Sequence, residues 1–151
     1  MMQPSYNTPV AQVVELLGGS SLVRQSIHNE LDLLALAARG LSMQSLRALQ
    51  RRMQFSNKEI SEFLDVSEST LLRRQQNKRA LTRDESEKTI QLSAVMAKGI
   101  SVFEDEDDFR HWLETPNPAL GGIEPKDLLA SSIGREQVRE LLVRIQYGIY
   151  S

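Results

Sequence analysis

Residues 57–76 read NKEISEFLDVSESTLLRRQQ, and the order of apolar and small residues in this stretch decides the fold. Ile60, Leu64, Val66 and Leu71 fall where two short helices joined by a tight turn must bury apolar groups against each other. Ser61 is small at the point where such helices cross most closely, and Asp65 occupies the turn. Aspartate is one of the few residues besides glycine that tolerates the left-handed conformation such a turn requires. Ser56 or Asn57 is placed to cap the first helix, and Ser67 or Ser69 the second. With the apolar set turned inward, Ser67, Glu68, Ser69, Leu72, Arg73 and Gln76 face outward. Arg73, Arg74, Lys78 and Arg79 stand at or just past the end of the second helix. This is the pattern of a helix-turn-helix, with polar residues where base edges are read and cations where phosphates are met. A helical hairpin with a solvated basic face is the plainer alternative.

Local charge favours the first reading. The 151-residue chain has a net charge of -2, which hides a split. Residues 47–83 carry nine basic side chains against four acidic ones, whereas residues 84–151 carry seven against thirteen. A polyanion-binding segment therefore sits beside an acidic one.

Outward from this centre the apolar spacing is helical throughout, and the expected fold is all-α. Val10, Val13, Val14 and Leu17 mark a helix over residues 9–17, stopped by Gly18 and Gly19. Further helices are expected over residues 26–38, closed by Arg39 and Gly40, and over residues 42–53. Thr82 and Glu85 have capping-box spacing and open a longer helix towards Gly99. An acidic block, residues 104–108, leads into Phe109, Trp112 and Leu113, which read as core. Residues 115–125 (TPNPALGGIEP) are dense in helix breakers and read as an ordered loop, either scaffold or contact surface. A last helix is expected over residues 136–145. The organisation read from this is an N-terminal helical and dimerisation region (1–54), a helix-turn-helix region (55–98) and a C-terminal binding domain (99–151).

Several classes are disfavoured. No apolar run approaches the roughly 20 residues that span a bilayer, the first residues lack a secretory pattern, and there is no cysteine. A cytoplasmic protein without cofactor or metal is expected. His28 and His111, the only histidines, lack metal-ligand spacing, and no phosphate-cradling glycine motif is present. Catalysis is not expected.

The stretches TLLRRQQNKRALTRDESEK (70–88), FRHWLETPNPALGGIEPKDLL (109–129) and GREQVRELLVRIQYGIYS (134–151) together resemble the Xre/MbcA/ParS antitoxin family. The likeness extends more weakly through VVELLGG (13–19) and LLALAARGLSMQSLRAL (33–49). Its most specific elements are Trp-Leu, Pro-Asn-Pro, Leu-Gly-Gly and Pro125, in that order, ahead of Gly134 and Tyr147-Gly148. Asp65 departs from the usual turn glycine, and Lys88-Thr89 from an acidic-basic pair. The resemblance implies an antitoxin that binds and blocks an NAD-consuming RES-domain toxin through its C-terminal domain and represses its own operon by binding operator DNA. A stand-alone helix-turn-helix regulator with a dimerising or sensing C-terminal half is the alternative. A homodimer is expected on other grounds: two recognition helices are needed to span half-sites, and residues 31–38 (LDLLALAA) are more apolar than one exposed helix needs. Arg144, Tyr147, Tyr150 and the Ser151 carboxylate are the expected toxin contacts, because aromatics and arginine dominate protein interfaces. The alternative is that the tyrosines pack back on their own domain.

Overall fold

Helix boundaries in the computed structural model, which describes residues 8–148, follow the caps that the sequence supplies. Thr8 caps α1 (Pro9–Leu16) by accepting the Ala11 N–H at 3.1 Å. Asn29 caps α2 (Glu30–Arg39): its side chain accepts the Asp32 N–H at 3.0 Å, and Asp32 accepts the His28 N–H at 2.8 Å. That reciprocal pair starts the helix at Glu30 rather than at the expected Ser26. Ser42 caps α3 (Met43–Met53) and Ser56 caps α4 (Asn57–Leu64), the latter with a full capping box to Glu59. Ser67, not Ser69, caps α5 (Glu68–Gln76). Of the capping alternatives left open by the sequence, the first serine wins each time.

Asp65 adopts φ 55° and ψ 47°, the left-handed turn expected of it. Gln54 and Lys78 end α3 and α5 in the same way, with φ of 59° and 54°. In each case the next residue's N–H reaches back to the carbonyl five residues earlier, as Arg79 does to Arg74 at 2.9 Å.

Two compact units divide at Ala94 and Val95, inside α6 (Arg83–Phe103). In the first, α1 packs on α3 and α4 on α5. Leu46, Leu49, Ile60, Leu64 and Leu71 are buried, joined by Phe63, which the sequence reading had not placed inside. Phe63 meets Phe55 edge-on, with ring centroids 5.0 Å apart. The Leu41 N–H donates to Ser86 at 2.9 Å, tying the start of α6 to the segment before α3.

The second unit packs α7 (Glu106–Leu113) and α8 (Ser132–Gln146) around the 3-10 turn Pro125–Leu128. Here α6 continues past Gly99 to Phe103 instead of stopping. Gly99 is a seat, not a terminator: a Cβ there would lie 1.9 Å from the fully buried Phe109 ring. Phe103, Phe109 and Trp112 form an aromatic cluster with centroids 5.6–6.1 Å apart. The acids of residues 104–108 form the turn and first turn of α7, with Asp105 as cap, where carboxylates favour the helix dipole.

Residues 115–125 are more ordered than a plain loop. Asn117 and Ile123 form an antiparallel bridge around the 3-10 turn Pro118–Leu120, and the Asn117 side chain accepts the Ala119 N–H at 2.9 Å. α8 also starts at Ser132, four residues earlier than expected, because Ser131 caps it through the Gly134 N–H at 2.9 Å.

Candidate functional site

The outward side of α5 carries Glu68, Ser69, Leu72, Arg73 and Gln76, all exposed as the sequence implied. Leu72 is 53% exposed, an apolar residue of the kind that can meet a thymine methyl group. Arg73 lies against Thr70 Oγ1 at 3.4 Å, so its guanidinium is lightly held and available. Lys78 and Arg79 are exposed just beyond the helix.

Two of the expected DNA contacts are otherwise engaged. The Ser67 hydroxyl accepts the Thr70 N–H at 3.1 Å and donates to Thr70 Oγ1 at 2.8 Å, so it serves the helix cap. Arg74 turns inward and pairs with Glu85, its side chain only 21% exposed. Its placement among phosphate-facing cations is corrected to a structural one, since Glu85 is buried and needs a counter-charge. Burial pushes the Glu85 carboxyl up. The hydrogen bond from Arg74, the Thr82 N–H and the Arg74 charge outweigh that and hold it below the usual carboxylate range.

A depressed folded pKa gives stability that is present above the unfolded value, about 4.3, and lost as pH falls through the folded one. Glu85→Gln is therefore expected to cost about 3 kcal/mol at neutral pH. It should also flatten the acid limb of the stability curve, as read by urea unfolding at several pH values. An unchanged acid limb would show that Glu85 is not the titrating group.

Residues that sequence reasoning missed lie beside α5. Arg47 of α3 donates from Nε to Gln75 at 2.9 Å, and from Nη1 to Gln50 at 2.6 Å and Asn57 at 3.2 Å. Gln50 also donates to Asn57 at 2.8 Å. Arg47 and Arg51 were visible as charge, but only the fold shows that α3 turns them towards α5.

The second unit offers a different surface. The buried side of α8 is Gly134, Arg135, Val138, Leu141 and Leu142. Its outward row, Ile133, Gln137, Glu140, Arg144 and Tyr147, follows helical spacing and is exposed throughout. Ile133 at 77% and Tyr147 at 71% stand near opposite ends of the row. Tyr147 therefore does not pack back on its own unit. Arg144 is exposed as expected, and Tyr150 and Ser151 lie outside the described residues.

Together these define a class: a helix-turn-helix unit joined to a small helical unit with an exposed mixed polar and apolar face. Residues 32–93 match the antitoxin Xre-like helix-turn-helix domain. Residues 98–148 match the antitoxin Xre/MbcA/ParS C-terminal toxin-binding domain. The chain belongs to the Xre/MbcA/ParS antitoxin family, and it is an antitoxin of a toxin-antitoxin system. Among its relatives, Antitoxin Xre of Photorhabdus laumondii is 28% identical over 118 residues, 78% of this chain and 80% of that one. A Sphingobium protein named Prs ADP-ribosylating antitoxin is 23% identical over 129 residues, covering 80% and 81%. The fold is also that of a chain in the crystal structure of the M. tuberculosis MbcT-MbcA toxin-antitoxin complex. That match has a TM-score of 0.53 and 19% identity, covering 82% of this chain and 100% of the other. The resemblance and the all-helical fold read from the sequence are both borne out. Among the described residues no helix is long and apolar enough to cross a membrane.

Proposed function

We propose that this antitoxin blocks an NAD-consuming RES-domain toxin with its C-terminal unit and represses its own operon by binding operator DNA with its helix-turn-helix unit. The observation that carries the reading is the outward row of α8, with Ile133 and Tyr147 exposed, inside the span that matches a toxin-binding domain. Two apolar anchors set among polar residues are what a protein interface needs at its centre. Co-expression with a RES-domain toxin, scored by growth and cellular NAD, tests it. Continued NAD loss with the antitoxin present at equal or higher level would remove the reading.

The DNA half rests on the exposed recognition face of α5. Arg73→Ala is expected to weaken operator binding by about 1–3 kcal/mol and relax sequence preference if Arg73 reads a guanine. Replacing Lys78 or Arg79 should weaken all duplexes alike and flatten the salt dependence. Fluorescence anisotropy on operator and scrambled duplexes separates these outcomes. An Arg73→Ala protein with unaltered operator affinity would refute the assignment of α5 as the reading helix.

A second copy of the chain is a further partner in this reading. On α2, Leu31, Leu34, Ala35 and Ala38 form an outward row at i, i+3, i+4 and i+7, with Leu31 75% and Leu34 49% exposed. Pairing two such rows about a two-fold axis would bury them and present two recognition helices. Sedimentation at micromolar concentration should give a dimer, and the Leu31→Glu, Leu34→Glu double variant a monomer. A monomeric unmodified protein would end the idea.

A further inference from the structure

Beside α5, the first unit holds an open cleft of about 850 Å³ whose lining includes Arg47, Arg51, Lys78 and Arg79 and no carboxylate. A second cleft of about 570 Å³ shares Arg47, Arg51 and Gln75 and adds Ser56 and Asn57, again without a carboxylate. The hydrogen bond from Arg47 to Gln75 stands where the two meet. The result is a cation-lined track along α3 and the start of α4, next to the exposed side of α5.

Arg47 is the unusual member. Its three acceptors, Gln75, Gln50 and Asn57, are neutral amide oxygens, and burial lowers its pKa from the ordinary value. A guanidinium keeps its charge even so. Arg74 and Lys126, by contrast, each meet an acid, Glu85 and Glu114. Among the described residues no carboxylate lies within ion-pair distance of Arg47, Arg51, Lys78 or Arg79. Arg47 is held by these bonds and faces two clefts without a carboxylate, while a smaller third cleft brings Glu68 of α5 into its surroundings.

We propose that this track is a clamp for the sugar-phosphate backbone of duplex DNA, with Arg47 and Arg51 of α3 each neutralising a phosphate beside the groove that α5 enters. The inference rests on the DNA-binding reading above and extends it to residues outside the helix-turn-helix. Two joined, open clefts fit a polyanion that runs along the surface; a single small anion is better held in a closed pocket with converging donors. Neutral amides orient Arg47 without cancelling its charge, so little side-chain entropy is lost when a phosphate arrives. Backbone contacts of this kind fix register and carry no sequence information.

The test is anisotropy titration of the intact protein against duplex from its own promoter and against scrambled duplex, between 50 and 200 mM salt. Arg51→Gln is the main variant, because Arg51 is exposed and its loss should leave the fold intact. Arg47→Gln is paired with Arg47→Lys, which keeps the charge but not the fork that reaches three amides, and Arg24→Gln is the exposed control. Each glutamine variant is expected to weaken both duplexes by the same factor, roughly tenfold, and to reduce the log–log salt slope by about one. Arg47→Lys should recover most of the slope, and Arg24→Gln should change neither. If the unmodified protein binds but the double glutamine variant keeps its affinity and slope, the clamp is wrong and the DNA reading stands. If the loss is confined to promoter duplex, the arginines read bases and the clamp is equally wrong. If the unmodified protein binds no duplex at all, both readings fall together.

Discussion

An antitoxin lacking residues 147–151 is expected to leave cells unprotected from their toxin while still folding and still binding DNA. The last buried residue of α8 is Leu142, so the deletion removes no core contact seen in the second unit. It keeps the bond between Lys98 and Gln146, which ties α6 to α8 just before the cut. What it takes from the described surface is the Tyr147 side chain, 71% exposed and one of the two apolar anchors of the outward row. Losing an aromatic that acts as a hot spot of an interface costs about 2 kcal/mol or more, roughly thirtyfold in affinity. A toxin of the proposed NAD-consuming kind would need only a small free fraction to be harmful, so that loss should be visible in growth. The measurement is co-expression with the toxin, comparing full-length and shortened antitoxin at matched levels, with cellular NAD as second readout. Full protection by the shortened form would move the contact elsewhere. Residues 116–125 come next, because Ile123 projects from that rigid turn with 45% exposure.

How legible such a surface is depends on whether its determinants are local. The helix-turn-helix could be read because each of its requirements sits within a few residues: the serine caps, Asp65 in the left-handed turn, and apolar positions that recur with helical spacing. The capping box from Thr82 to Glu85 was readable for the same reason. The role of Arg74 was not. Its partner Glu85 lies eleven residues on, in another helix, so the pairing cannot be read from the residues around Arg74. Arg47 failed in the opposite direction. It was counted as charge but not placed, because its three amide partners come from its own helix, α4 and α5.

Glycines inside helices are hard to read for a related reason. Glycine weakens helices, so the apolar pattern of α6 points to an end near Gly99, and the pattern of the last helix begins only at Glu136, past Gly134. Both lie inside helices, because another part of the chain needs the space a side chain would fill. Close approach is a tertiary fact, and the sequence around each residue does not announce it.

Gly134→Ala should therefore have the opposite sign from the one helix propensity predicts. In an exposed helix interior the change would stabilise by about 1 kcal/mol. Here the new Cβ would lie 1.9 Å from the Leu128 carbonyl oxygen, 2.8 Å from its carbon and 2.8 Å from the Ser131 hydroxyl that caps the helix. The nearest atoms belong to backbone in the turn on which α8 packs, so no rotamer change can relieve the clash. Either α8 moves away from that turn or its first turn unwinds with loss of the Ser131 cap. Overpacking of this kind costs typically 1–3 kcal/mol where side chains can yield; against a carbonyl we expect at least about 3 kcal/mol. Hydrogen exchange should show the amides of α8 and of residues 125–129 losing protection, while those of α3, α4 and α5 keep theirs. Toxin neutralisation should fail and duplex binding should persist, a separation that a general folding defect would not give. Ser132→Ala, an exposed change two residues earlier with no such neighbour, is the control and should leave protection unchanged. If Gly134→Ala instead raises the unfolding midpoint, α8 does not press on the Leu128 carbonyl in solution, and the geometry that places Ile133 and Tyr147 on one outward row must be redrawn.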